Sequence, residues 1–179
     1  LEFINKDTLI IYPNTNSGYG STGDSLCTEE TPSNPLSRYG ADKQKTEDLL
    51  LNNHDKSIVF RLATVFGYSP RPRLDLLINN LTYRAKTEQH IEIFDGHFRR
   101  HYICTKEQLA TIISDTLGTT FSNNQFKTDP DKRDYEVSSK KLYNTGYTPD
   151  IDLVTGIKEL DSFYNYLPDE SYDEFIKNY

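Results

Sequence analysis

The sequence predicts an α/β fold with crossover helices, on three observations. A short apolar run, "TLIIYPN" (8–14), and a second, "SIVFRLATVFG" (57–67), read as buried strands because they are β-branched, aromatic and bounded by turn residues. A helix-length segment opening at Pro35–Ser37 and running to about Asn52 separates them, so strand, helix and strand follow in the order of a parallel crossover. Another helical segment, "LDLLINNLTYRAK" (74–86), comes next, after the loop "YSPRPR".

Each remaining element follows from local chemistry. The stretch between Thr15 and Pro35 is rich in Gly, Ser, Thr and Pro and reads as loop. "HIEIF" and "FRRHYI" read as short strands about a turn at Asp95–Gly96. Thr105 followed by Gln108 is a capping-box pattern that opens the helix "KEQLATIISDTL", and Gly118 closes it. A small helix is expected near 138–145, ending at Gly146, and another over 151–166, ending before Pro168. The acidic, aromatic tail "DESYDEFIKNY" has the pattern of one last helical turn.

Composition narrows the function. The chain has 179 residues, enough for one compact domain or a small two-lobed one. No apolar run reaches a membrane-spanning length, and no basic, then apolar, secretory pattern is present in what is given. A net charge of −7 argues against a nucleic-acid surface but leaves room for a phosphorylated small molecule held by a few arginines. Cys27 and Cys104 lack metal-ligand spacing; a disulfide between them is open but has no support in the sequence, and they read as free thiols of a reducing, cytoplasmic compartment. His54, His90, His97 and His101 show no metal-like grouping either.

The segment "SRYGADKQKTE" (37–47) sets Tyr39 four residues before Lys43. On a helix such positions share a face, about 5–6 Å apart at Cβ. A tyrosine phenol ordinarily titrates near pH 10, so general-base work at neutral pH needs a drop of roughly 3 units, which a neighbouring ammonium in a partly desolvated cleft favours. Spacing alone does not decide the matter, because the chain has 13 Tyr and Tyr102 also precedes a lysine, Lys106, by four. Tyr102 closes an expected strand while Lys106 opens a helix, so context favours Tyr39 and Lys43. Thr15 emerges from the carboxyl end of the first strand, the edge at which α/β sheets bind ligands.

Five segments in order carry a wider pattern: "IIYPNTNSGYG", "SRYGADKQKTE", "VFRLATVFG", "FRRHYI" and "DPDKRDYEVSSKKLYNTGYTP". They resemble, in turn, a strand followed by Ser/Thr and Tyr-Gly, a Tyr-Gly-x-x-Lys helix, an Arg-to-Gly strand, an Arg-Asp-Tyr-Ile strand, and an Asp-x-Arg segment followed by Gly-Trp-x-Pro. This is the pattern of the extended short-chain dehydrogenases/reductases, specifically the NAD-dependent epimerase/dehydratase family acting on nucleotide sugars. The wording is reminiscent of a subgroup handling GDP-linked heptoses or deoxysugars.

The resemblance implies a Rossmann-like doubly wound parallel sheet, of which this chain is the C-terminal part, with a small α/β substrate-binding lobe. Residues 1–67 would be the remainder of the dinucleotide-binding domain and 68–179 mainly the nucleotide-sugar lobe. Thr15, Tyr39 and Lys43 would be catalytic. Tyr39 and Lys43, with backbone at Ala63, would border NAD, which the resemblance favours over NADP. Asn16, Ser17, Thr64, Leu74, Arg100 and Arg133 would contact the nucleotide sugar (GDP- or UDP-linked), the two arginines at its diphosphate, for which Arg99 is an equal candidate. Asn16 and Ser17 stand where some members carry acid/base residues for dehydration, so oxidation or epimerisation starting at carbon 4 is implied instead. A homodimer without nucleic-acid or membrane partners goes with this reading.

The pattern departs from the family in two places. The Gly-x-x-Gly-x-x-Gly opening that cradles the cofactor pyrophosphate is absent, and a stretch the length of a helix and a strand is missing between Ile103 and Cys104. The expectation is a piece of a longer protein or a truncated gene product. Such a chain would not hold a dinucleotide tightly by itself, and the alternative to an enzyme is a non-catalytic relative that binds a nucleotide sugar or a partner subunit.

Overall fold

A computed structural model describes residues 1–100, 104–129 and 132–167 of the chain. The backbone gathers into two compact units: 1–63 with 99–100 and 132–139, and 64–98 with 104–129 and 140–167.

In the first unit, β1 (Ile10–Thr15) runs into a 3₁₀ turn (Asn16–Tyr19), then β2 (Ser21–Cys27), α1 (Arg38–Asn53) and β3 (Ser57–Leu62). β1 and β3 pair in parallel, Ile10 opposite Ser57 through Thr15 opposite Leu62, with α1 as the crossover between them. The second strand ends at Leu62 rather than Gly67. Ser37 caps α1 by accepting the Gly40 amide at 3.1 Å.

The segment expected to be loop between Thr15 and Pro35 contains β2, which pairs in parallel with β8 (Asp134–Val137), an element also absent from the sequence expectation. β2 is polar, so no apolar alternation marks it; what it buries is Cys27, in a cluster with Tyr19 and Tyr135. β5 (Arg99–Arg100) belongs to this unit as well.

The second unit holds α2 (Leu77–Glu88), β4 (His90–Ile93), β6 (Cys104–Thr105), α3 (Lys106–Leu117), β7 (Thr120–Asn123), α4 (Lys140–Tyr143) and α5 (Leu153–Tyr164). Its core is built at helical spacing from Ile78, Leu81 and Ala85 of α2, Leu109, Ala110 and Ile113 of α3, and Ile157, Leu160 and Tyr164 of α5, all buried. The capping box at Thr105 and Gln108 forms, and Gly118 ends α3 in the left-handed conformation. The turn at Asp95–Gly96 does not make a hairpin. β4 pairs in parallel with β7, because α3 returns the chain between them as a crossover. The expected strand "FRRHYI" and the expected last turn of the tail extend outside the described residues, the first beyond Arg100 and the second beyond Leu167.

Candidate active site

Tyr39 and Lys43 lie one turn apart on α1. Lys43 is half-buried. Its ammonium donates to the Pro13 carbonyl of β1 at 2.8 Å, lies 4.6 Å from the centre of the Tyr12 ring and 6.0 Å from that of Tyr39. Tyr39 is exposed. Gly40 explains how closely the helix start approaches β1's turn: a Cβ there would lie 3.3 Å from the Ser17 carbonyl oxygen and 3.0 Å from Pro35 Cβ.

Thr15 closes β1 and caps the 3₁₀ turn. Its hydroxyl accepts the Ser17 amide at 3.1 Å and donates to Ser17 Oγ at 3.0 Å. Arg133 donates to the same Ser17 oxygen. Asn16 is buried, and its Oδ1 has no hydrogen-bond partner among the described residues. Thr15, Ser17 and Arg133 are therefore gathered at one turn, two residues beyond the carbonyl that anchors Lys43. Gly20 ends the turn at φ 73°, where a Cβ would overlap the Asn34 carbonyl.

The other expected residues fall elsewhere. Ala63 directly follows β3 in the first unit, whereas Thr64 and Leu74 belong to the second, Leu74 fully buried in its core. Arg100 is on β5 by its backbone, and its side chain lies outside what is described. Arg99 is committed to protein carboxylates: Asp134 accepts its backbone N–H at 2.8 Å and its Nε at 3.2 Å, and Asp24 lies 3.3 Å from it. The Asp134 hydrogen bonds also raise the Arg99 pKa. Lys106, half of the competing Tyr-Lys spacing, is buried and donates to the Phe94 carbonyl and, at 2.7 Å, to Asp129, while Tyr102 is outside the described residues. A groove of about 590 Å³ among Tyr68, Lys158, Phe163 and Tyr166 lies within the second unit and contains none of the expected residues.

Sequence reasoning missed a buried polar group beside the turn. Glu47, the next residue on the Tyr39–Lys43 face, accepts from Arg61 Nη2 at 2.6 Å and from Asn14. Burial pushes the Glu47 carboxyl up, and hydrogen bonds from Arg61 and Asn14 more than offset this, so its pKa is lowered overall. The Arg61 pKa is raised, first by its hydrogen bonds to Glu47. The repeat Tyr39, Lys43, Glu47 was the available signal, but the partners are remote in sequence.

The family model for the RmlD substrate binding domain matches residues 4–128. A dTDP-glucose 4,6-dehydratase from Bacillus anthracis, solved in complex with NAD, shares the fold with a TM-score of 0.72 at 20% identity, covering 94% of this chain and 64% of that one. A UDP-glucose 4-epimerase from Thermotoga maritima, solved with UDP-glucose, gives 0.70 at 19% identity, covering 87% and 62%. The UDP-glucose 4-epimerase of Thermus thermophilus, solved with NAD, gives 0.68 at 15% identity, covering 87% and 63%. The chain thus spans less than two thirds of the length of each. Its parallel α/β architecture is theirs, and by the match over residues 4–128 the chain belongs to the RmlD substrate binding domain family, within the extended short-chain dehydrogenase/reductase group.

Proposed function

We propose that this chain carries the proton-handling part of an NAD-dependent oxidoreductase or epimerase acting on a nucleotide-activated sugar, GDP- or UDP-linked. The observation that carries the reading is the placement of Tyr39 and Lys43 on one face of α1, with the lysine fastened to Pro13 two residues before Thr15. It puts a phenol, an ammonium and a hydroxyl-bearing turn at the carboxyl end of a parallel strand, where α/β folds bind ligands.

In this reading Tyr39 Oη accepts the proton of a sugar alcohol. Lys43 supplies a fixed positive charge beside the phenol as that charge develops. The turn at Thr15–Ser17 holds the alcohol by hydrogen bonds, and Arg133 polarises Ser17 by donating to its Oγ. The donor set fits the nicotinamide–ribose end of NAD: a phenol and an ammonium for ribose hydroxyls, and backbone at Ala63 after β3 for the ring. When bound, NAD supplies the hydride acceptor for a sugar carbon, carbon 4 by the family's pattern. Asn16 in place of a carboxylate favours oxidation or epimerisation over dehydration, since a neutral amide is neither acid nor base. Residues 1–67 are assigned to the cofactor side and 68–179 mainly to the sugar-nucleotide side, with Thr64 and Arg100 in contact with the substrate; Leu74, expected there too, is fully buried and packs in the core instead. A cytoplasmic homodimer belongs to the same proposal.

The test is Tyr39→Phe, assayed with NAD and a panel of nucleotide sugars. Turnover is expected to fall by roughly 10²–10⁴-fold while sugar-nucleotide affinity is kept. Equal turnover in wild type and variant rejects the role. A wild-type protein that binds nucleotide sugars without turning any over is the non-catalytic relative instead.

A further inference from the structure

The polar group around Glu47 joins helix α1 to the strand end that carries Thr15. Alternation along β1 and β3, with Asn14 opposite Arg61 in the register, turns both side chains towards α1. Glu47 drops between them. Asn14 Nδ2 donates to its Oε2, while Arg61 Nε lies 3.1 and 3.2 Å from its two oxygens and Nη2 2.6 Å from Oε1. Two arms lead away from this carboxylate. Through Asn14, Oδ1 accepts the Thr15 amide at 2.8 Å, the first peptide of the site turn. Through Arg61, Nη1 donates to Tyr19 Oη at 3.0 Å, and that phenol donates to the Thr28 carbonyl at 3.0 Å. Tyr19 is the last residue of the same turn.

We infer that Glu47 is a positioning residue: by gripping Asn14 and Arg61 it fixes the hydroxyls of the Thr15–Ser17 turn against the Tyr39–Lys43 face of the helix it shares with them. It touches neither sugar nor cofactor in this scheme, and the inference rests on the roles proposed above for Tyr39 and Thr15. The Asn14 arm separates positioning from plain stabilisation. An ion pair that only held α1 to the sheet would be complete with Arg61. The neutral Asn14 instead spends both ends of its amide on joining that pair to the Thr15 peptide. Successive turns of α1 thus fasten to successive residues of β1, Lys43 to Pro13 and Glu47 to Asn14, so the helix has one sliding register against the strand.

The experiment compares wild type, Glu47→Gln and Asn14→Ala by steady-state kinetics and by residue-resolved amide hydrogen exchange. Displacement of a catalytic group by about 1 Å costs on the order of 100-fold, so kcat is expected to fall between ~10- and ~100-fold in both variants with KM within about 2-fold. Exchange at Thr15 and Ser17 is expected to accelerate, while Leu109 and Ile113 in α3 stay as protected as in wild type. Unchanged kcat in both variants overturns the inference. So does exchange that rises evenly through the first unit with kcat per folded molecule preserved, which marks a structural role only. Should Glu47→Gln fail to fold, Asn14→Ala, which removes no charge, decides alone. Should wild type turn over no nucleotide sugar, the proposed reaction fails, and Thr15 exchange still decides: faster in Glu47→Gln, where Asn14 is kept, upholds the positioning role, and unchanged refutes it.

Discussion

Gly40 follows the candidate base directly, and no other residue fits there without moving something. An added Cβ meets Pro35 on one side and the Ser17 carbonyl on the other. Gly40→Ala is expected to destabilise the fold by about 1–3 kcal/mol, the usual range for overpacking, and to lower kcat beyond any loss of folded protein. Urea unfolding beside a kinetic assay checks both. Glu47 adds a pH dependence of defined sign. Its carboxyl titrates below the ordinary range in the folded chain, so its contribution is fully present above the unfolded value near pH 4.3 and is lost as pH falls through the folded one. Arg61, Asn14 and Gln44 surround it, and Arg61 stays charged throughout. The stability difference between wild type and Glu47→Gln should therefore hold from pH 7 to about 5 and shrink at lower pH. A difference that stays flat to pH 3 contradicts the assignment. Tyr39 and Lys43 were legible because four-residue spacing defines a helix face by itself. Glu47 continues that spacing, yet its meaning depends on Asn14 and Arg61, 33 and 14 residues away, which no local pattern reveals.

Elements with chemical punctuation were legible, and elements defined only by their neighbours were not. α3 has both signals: Thr105 and Gln108 satisfy each other's backbone N–H groups at 3.1 and 2.8 Å, and Gly118 takes φ 68°. Thr105→Ala should cost about 1 kcal/mol and lower Tm by about 2–4 °C in a scanning calorimeter; no change would mean the cap contributes nothing. β2 has neither signal. Its residues, STGDSLC, carry no apolar alternation, and its partner β8 lies more than 100 residues away, Ser21 opposite Asp134. β4 was legible as a strand, with Ile91 and Ile93 buried in alternation, but its partner was not: the nearby turn favoured a local hairpin, whereas the intervening helix commits it to the parallel partner β7. Parallel pairing is always non-local, so sequence reading detects its helices and misses its polar strands.

At the scale of the molecule, one sheet face is open among the described residues. Parallel sheets are ordinarily covered on both faces. Here α1 covers one face of the β1–β3 pair, with Asn14, Arg61 and Tyr12 beneath it. The alternate residues face the other way and are exposed: Ile11 59%, Ile58 44%, Phe60 39% and Leu62 39%. The register sets Ile11 beside Ile58, so these side chains form a continuous apolar strip on a chain whose net charge of −7 otherwise keeps molecules apart. The 179-residue chain by itself should therefore bind a hydrophobic dye such as ANS and elute from a sizing column ahead of its monomer mass of 20.7 kDa. Ile11→Lys combined with Phe60→Lys should lower the dye signal and move elution towards the monomer, because charge on a strand face blocks sheet association. Both lysines would stand on the side away from Glu47, so Thr15 amide exchange should stay at the wild-type rate in the same protein. Undiminished dye binding in the double variant would place the apolar surface elsewhere, and faster Thr15 exchange would mean that the two faces of this sheet are not independent.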